Sequence, residues 1–299
     1  MPGGLTRKAE RPRIRSGKGD DLETTTDVER IEIQLLLEAV YRRYGYDFRS
    51  YAEASITRRI HRHRNLNGYR SISDIQHVIL HDREAFLRLL HDLSISVTEM
   101  FRDPPFYCSL RKCVLPKLKE LPFIRIWLAG CATGEEVYSV AILFQEEGLL
   151  DRVQIYATDI NESAIDKARQ GIYPLEQIQE YTRNYHKAGG KSAFGEYYTA
   201  RYGHAAMQAF LKQHILFSHH NLVTDGSFGE MHLIVCRNVL IYFSKELQDR
   251  VLHLFCESLI EDGFLCLGSK ETLRYSTCST QFQEWDPHER IYRKRSNAS

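Results

Sequence analysis

Apolar positions along this chain follow two regimes. From Val28 to Leu93 they recur at helical spacing, whereas from Ile124 onward short apolar, β-branched runs alternate with helical stretches. In the first regime Ile31, Leu35, Leu36, Ala39 and Val40 supply one face of a helix that Gly45 stops. Thr26-Asp27-Val28-Glu29 ahead of it has the T-x-x-E form of a capping box. Ile56 and Ile60 mark one face of a second helix within Tyr51 to Arg64, with Arg58 and Arg62 roughly opposite. A third segment, roughly Ser71 to Leu80, and a fourth through Phe86, Leu89, Leu90 and Leu93 complete an all-helical domain predicted to span 28–95. Residues 1–27 read as a disordered tail, because the first 25 are rich in Gly, Arg, Lys, Pro and Thr and almost free of apolar side chains.

The stretch 96–116 reads as a linker, its Pro104 and Pro105 ending any regular element. Ile124 to Leu128 is then a buried strand, Gly130-Cys131-Ala132-Thr133-Gly134 a turn, and Val137, Val140, Ala141 and Leu143 the apolar face of a helix. Val153 to Thr158 is a second strand running into Asp159 and a helix beginning near Glu162. This alternation predicts an α/β fold, a Rossmann-like domain over 117–295. Gly171 to Pro174 interrupts it. Residues 175–214 read as an inserted subdomain, with Phe194 to Ala200 a strand of a small antiparallel sheet. Strands resume at Ile215 to His219, Met231 to Val235 and Phe264 to Leu267, and a helix over Lys245 to Ile260 is closed by Gly263.

Chemistry enters at the first strand–helix turn. Gly130 and Gly134 let the backbone bend and approach a ligand, as the first turn of a Rossmann unit does for a nucleotide. Asp159 ends the second strand about 25 positions after Gly134, near the roughly 20 expected of a carboxylate that binds ribose hydroxyls. Glu135 and Glu136 open the helix where a dinucleotide would place its pyrophosphate, and they would repel it. S-adenosylmethionine, with an ammonium, a sulfonium and no phosphate, suits those carboxylates better. Arg237 and Asn238 lie just past the carboxyl end of the strand 231–235, where such sheets hold their ligands.

Composition narrows the class. A net charge of +1 with 26% charged residues gives no global field toward nucleic acid or membrane surfaces. Seven cysteines without paired CxxC spacing form neither a disulfide nor a zinc framework, and the sequence has no apolar leader or membrane-length run. The reading is a cytoplasmic protein with reduced thiols, no metal site and no membrane insertion; Cys131 and Cys236 read as small buried thiols. Charge is concentrated on the second helix, at Arg58, Arg59, Arg62 and Arg64 with His61 and His63; by itself this reads as a solvated face.

The segments VTEMFRDP (97–104), AGCATGEEVYS (129–139), ATDINESAIDKARQGIYP (157–174), NL (221–222), VCRNVLIYF (235–243) and LGSKETL (267–273) occur in the order found in one family. The chain resembles the CheR-type chemotaxis receptor methyltransferases over nearly its whole length beyond the first 27 residues. The resemblance implies methyl transfer from S-adenosylmethionine to glutamates on the cytoplasmic domains of methyl-accepting chemoreceptors, leaving S-adenosylhomocysteine. It places Ser96, Thr98 and Arg102 against the methionine part of the cofactor and Asn221 and Leu222 on its adenine side. It turns the basic helix, with Arg58, Arg59, Arg62 and Arg64, toward the acidic surface around receptor methylation sites. In some members the insertion docks a receptor's C-terminal peptide by strand addition. Two positions depart from the family pattern: Ser96 stands where asparagine is usual and His232 where aspartate is usual. The absence of an N-P-P-Y-like turn after the strand 231–235 argues against a nucleic-acid amine as substrate.

A glutamate side chain is ionised at pH 7 and as a methyl acceptor needs no general base. The remaining tasks fall to Arg102, which can pair with a carboxylate, and Tyr242, which can donate a hydrogen bond. The alternatives are a methyltransferase of the same fold acting on another protein or a small molecule, and a non-catalytic S-adenosylmethionine-binding signalling module.

Overall fold

The computed structural model describes residues 20–94 and 98–296, with side chains from Asp27 onward. The first helix, α1, covers Asp20–Tyr44 and so begins ahead of the predicted cap: Thr26 lies within it, and 20–27 is not tail. The acidic sequence Asp20-Asp21-Leu22-Glu23 favours a helix N-terminus there. Gly45, at φ +81°, ends α1 with its N–H on the Tyr41 carbonyl at 2.8 Å. Helices α2 (Glu53–Asn67), α3 (Ile72–His81) and α4 (Arg83–Leu93) follow. Ser71 caps α3 through the Asp74 N–H at 3.1 Å, and Asp82 caps α4 through the Glu84 N–H at 2.8 Å. Leu36, Val40, Ile56, Ile60, Ile75, Ile79 and Leu89 interlock as a separate core.

The predicted linker is largely structured. Pro104 and Pro105 open a helix, α5 (Pro104–Ser109), at the positions where proline's missing N–H costs nothing. A π-helical turn, Leu110–Val114, and α6 (Leu115–Leu118) continue it. Phe106, Tyr107, Leu110, Val114 and Leu115 are fully buried in the main core, so 104–116 belongs to the second domain.

That domain alternates β1 (Ile124–Ala129), α7 (Glu135–Glu146), β2 (Val153–Asp159) and α8 (Glu162–Gln170). An insertion follows with β3 (Ile172–Pro174), α9 (Leu175–Lys187), β4 (Tyr198–Arg201) and β5 (His204–Met207). It forms a three-stranded antiparallel sheet in the order β3-β5-β4. The insertion thus starts at Ile172, and Phe194–Tyr197 is a 3-10 turn, with the strand beginning only at Tyr198. After α10 (Ala209–Lys212) come β6 (Ile215–His219), β7 (Met231–Cys236), α11 (Lys245–Ser258), β8 (Leu259–Leu267), β9 (Phe282–Asp286) and β10 (Ile291–Lys294). Helix α11 stops at Ser258 and β8 starts at once. Gly263 therefore does not close the helix; it lies inside β8, beside a bend where Asp262 has φ +63°.

The main sheet runs β6-β2-β1-β7-β8-β10-β9, with β6, β2, β1, β7 and β8 mutually parallel and β10 antiparallel to both of its neighbours, β8 and β9. Chain order reverses beside β1, so the carboxyl ends of β1, β2 and β7 open on one crevice. The helical domain closes over it. The Ala52 N–H donates to the Tyr242 carbonyl at 2.9 Å, the Ser244 N–H to the Ser50 carbonyl at 3.0 Å, and Asn161 Nδ2 to Ser94 Oγ at 2.7 Å. Among the described residues no helix is long and apolar enough to cross a membrane.

Candidate active site

The crevice becomes a cleft between the two domains. Gly130 sits at φ +79°, and a Cβ there would lie 2.4 Å from Val239 Cγ2, so only glycine lets the loop after β7 close against the turn after β1. Four of the loop's N–H groups are already committed: Gly130 and Cys131 to the Thr158 carbonyl, Ala132 to Asp159 Oδ2, and Gly134 to the Cys131 carbonyl. A pyrophosphate would compete for these donors. Gly134 does not line the cleft; a Cβ there would meet Ala168 Cβ at 2.8 Å, so this glycine serves helix packing against α8.

Asp159 lines the cleft at the end of β2. Its Oδ2 accepts from the Ala132 N–H and its Oδ1 from the Asn161 N–H, each at 2.9 Å, which fixes the carboxylate and leaves lone pairs for hydroxyl donors. Burial pushes its carboxyl up, while those backbone donors oppose the shift. The two glutamates that open α7 diverge. Glu136 faces the cleft and accepts from Arg237 Nη1 at 2.9 Å. Glu135 points elsewhere: it is buried, accepts from Thr133 Oγ1 at 2.7 Å, and burial raises its carboxyl to about 7. Arg237 is buried, donates also to Asp103 Oδ2 at 2.7 Å, and packs over the Phe106 ring at 4.0 Å.

The loop after β7 is held from beneath by Glu271. Buried in the LGSKETL stretch, it accepts from the N–H groups of Asn238, Val239, Ile241 and Gly268 at 3.0, 2.9, 3.3 and 2.6 Å. Asn238 there has φ +62°, and Phe101, Asp103 and Ala132 around the cleft also have positive φ. Such strain persists where surrounding contacts over-determine the backbone, often at functional sites. On the adenine side predicted from the sequence, Asn221 and Leu222 are buried and line the cleft; Asn221 Oδ1 accepts from the Val223 N–H at 3.0 Å. Thr98 and Arg102 line the opposite wall, and Ser96 lies outside the described residues.

The basic helix divides. Arg58 and Arg62 are exposed, and Arg64 pairs with Glu29 at 3.4 Å. Arg59 does not share that surface. It is 5% exposed, lines the cleft, and carries its guanidinium over the Tyr242 ring at 4.4 Å. Ile56, Arg59, Ile60 and His63 are the buried positions of α2, a spacing of three, four and seven residues that puts Arg59 on the inward face.

The sequence did not single out Tyr51, Cys131, Ala132, Ile160, His220 or Val223 as cleft residues. His220 is buried edge-on to Trp127, its Nε2 3.1 Å from the Gly226 carbonyl and its Nδ1 without a partner among the described residues. Its place directly before Asn221 was the available signal. The departure at His232 lies away from the cleft, where Nδ1 accepts from the Arg125 N–H of β1 at 3.0 Å, and burial lowers the imidazole pKa. Among the described residues no cluster of His, Cys, Asp and Glu could hold a metal ion.

A doubly wound sheet with a glycine turn in which four amides are already bonded, a strand-end carboxylate and a glutamate facing the cleft is the architecture of an S-adenosylmethionine-dependent methyltransferase. Residues 96–288 match the family described as "CheR methyltransferase, SAM binding domain", and 31–94 match "CheR methyltransferase, all-alpha domain". The chain belongs to the CheR methyltransferase family. It is 52% identical over 273 residues to "Putative methyltransferase Cher3" of Pseudomonas putida, covering 91% of this chain and 98% of that one. It is 30% identical over 239 residues to a "Chemotaxis protein methyltransferase" of Listeria monocytogenes, covering 78% and 87%. With "Chemotaxis protein methyltransferase 1" of Vibrio cholerae the identity is 32% over 218 residues, covering 68% and 75%.

Proposed function

We propose that this chain transfers the methyl group of S-adenosylmethionine to glutamate side chains of methyl-accepting chemoreceptors in the cytoplasm, forming glutamate methyl esters. The observation that carries this reading is a cleft that is lined by cations and whose carboxylates are already engaged. Arg59, Arg102 and Arg237 line it, while its carboxylates are engaged, Asp159 by backbone N–H groups and Glu136 by Arg237. An amine or hydroxyl acceptor must lose a proton to a base, whereas a carboxylate acceptor arrives ionised. The relatives named as chemotaxis methyltransferases supply the receptor class.

When bound, S-adenosylmethionine supplies an electrophilic methyl group on a sulfonium. In this reading Asp159 holds the ribose hydroxyls, Asn221 and Leu222 border the adenine, and Asn238 and Arg237 close the site from the β7 loop. Glu136 faces the ammonium; Thr98 and Arg102 meet the methionine part, as Ser96 does in the family resemblance. Gly130 lets the cofactor reach the turn, and Gly134 and Glu135 support that turn from behind. Tyr242 and Arg102 orient the acceptor carboxylate and keep it desolvated in line with the methyl carbon. Arg58, Arg62 and Arg64 on the outer face of α2 meet the acidic receptor surface.

A methyl ester is labile to base, while methylated lysine, arginine or adenine is not. Receptor fragments methylated with labelled cofactor should release methanol on mild alkaline treatment, at a rate of formation that changes little between about pH 6.5 and 8. Label that stays on the substrate through that treatment would sink the glutamate assignment.

A further inference from the structure

Arg59 combines burial with an incomplete set of partners. Its Nη1 donates to the Leu93 carbonyl and its Nη2 to Ser55 Oγ at 3.2 Å, but Nε is buried without an acceptor among the described residues. Among the described residues no carboxylate pairs with it; its nearest electrostatic company is the Tyr242 ring beneath it, Tyr51, and the like charge of Arg58. An uncompensated buried cation is costly, and burial depresses the Arg59 pKa accordingly. The bond to Leu93 ties α2 to the end of α4 and the bond to Ser55 lies within α2, but both leave the charge itself uncompensated. The flanking inward positions are Ile56 and Ile60, and an apolar side chain would be buried without that penalty.

We propose that Arg59 is a substrate-binding residue of the methyl-transfer cleft, held by the helical domain against Tyr242 to receive the ionised carboxylate of the acceptor glutamate. This rests on the glutamate-methylating reading above and assigns its acceptor subsite. The helical domain then has two tasks on one helix: an outer face for docking and, one position from Arg58, an inward fork for the reacting side chain. A planar guanidinium suits a carboxylate because it can donate two parallel N–H bonds.

The movement of charge during the reaction predicts how this contact acts. An acceptor oxygen contributes its electron pair to the new C–O bond while the C–S pair returns to sulfur, so the carboxylate loses its charge as the sulfonium loses its own. No proton moves. Arg59 therefore holds the ionised reactant more tightly than the partly neutralised transition state, and more tightly than the ester. Its contribution belongs to substrate binding and to release of the neutral product, and not to acceleration of the chemical step.

The test uses the full chain with a purified cytoplasmic fragment of a methyl-accepting chemoreceptor. Arg59→Gln should raise KM for the fragment by about tenfold to a hundredfold, leave kcat within about threefold, and leave S-adenosylmethionine affinity within about twofold. The parent's preference in binding for glutamate over glutamine at the methylation site should shrink in the variant by a similar factor. Arg59→Lys keeps the charge without the fork and should fall between the two; it carries the same test if Arg59→Gln does not fold. A fall in kcat at unchanged KM, an undiminished glutamate preference, or a tenfold loss of cofactor affinity would each overturn the assignment. The last would give Arg59 to the cofactor's own carboxylate. A parent chain that forms no base-labile ester would overturn the functional reading first, and this subsite with it.

Discussion

Two buried guanidiniums face the same cleft from opposite walls, and their surroundings differ. Arg237, on the sheet side, has a side chain 3% exposed, sits over Phe106, and is clamped by Glu136 and Asp103, so its charge is balanced before any ligand arrives. Arg59, on the helical-domain side, sits over Tyr242 and is balanced by no carboxylate among the described residues. A balanced buried ion organises its neighbours; here Arg237 ties the linker segment at Asp103 to α7 at Glu136. An unbalanced one is a site waiting for an anion. The contrast separates the part of the cleft that is built from the part that is completed by substrate.

The largest expected effect lies on the built side. Arg237→Ala strands two carboxylates, one of them mostly buried, and should lower folding stability by about 3 kcal/mol, read from urea unfolding midpoints at constant slope. An unchanged midpoint would mean that the clamp contributes nothing and that the two arginines do not differ in kind. Next comes Asp159→Ala, which removes a charged acceptor for hydroxyls while the sheet stays intact. It should weaken S-adenosylmethionine binding by roughly 1.5–3 kcal/mol, about tenfold to a hundredfold by calorimetry. Unchanged affinity would take Asp159 out of the site.

The smallest effect belongs to the outer face of α2. Reversing Arg58 and Arg62 together to glutamate should slow receptor methylation severalfold at low salt. The difference should fade as ionic strength rises, because exposed charges are screened over about 10 Å at 0.1 M. Equal rates at every salt concentration would exclude a docking role for that face. A loss that salt leaves untouched would place these residues with the buried Arg59 instead.

Much of this was legible in the chain. Strand and helix periods located β1, β2, β6 and β7, and their alternation announced a Rossmann-like sheet. Gly130 and Asp159, which line the cleft, were singled out from turn chemistry and spacing alone, because each sits at the end of its strand in one of two successive strand–helix units. Where the reading failed, the local signal pointed both ways. Thr26 satisfied a capping pattern inside a helix already begun at Asp20, and the pair Pro104-Pro105 is compatible both with a stop and with the first turn of a helix. Burial of Phe106, Tyr107 and Leu110 in the main core selects the helix. The hairpin β9–β10 completes the sheet through antiparallel pairing with β8, which no local period in the sequence had indicated.

The sequence by itself determined the elements, the glycine turn and the acidic strand end, since these depend on residues within a few positions of one another. Only the tertiary structure decided how the charged side chains divide their work. Glu135 and Glu136 are neighbours, yet one is buried against Thr133 and the other meets Arg237, brought from the end of β7 by the pairing of β1 with that strand. Arg58 and Arg59 are likewise adjacent, but about 100° of helical rotation separates them. The docking of the helical domain onto Tyr242 turns that rotation into the difference between a solvated surface and the cleft.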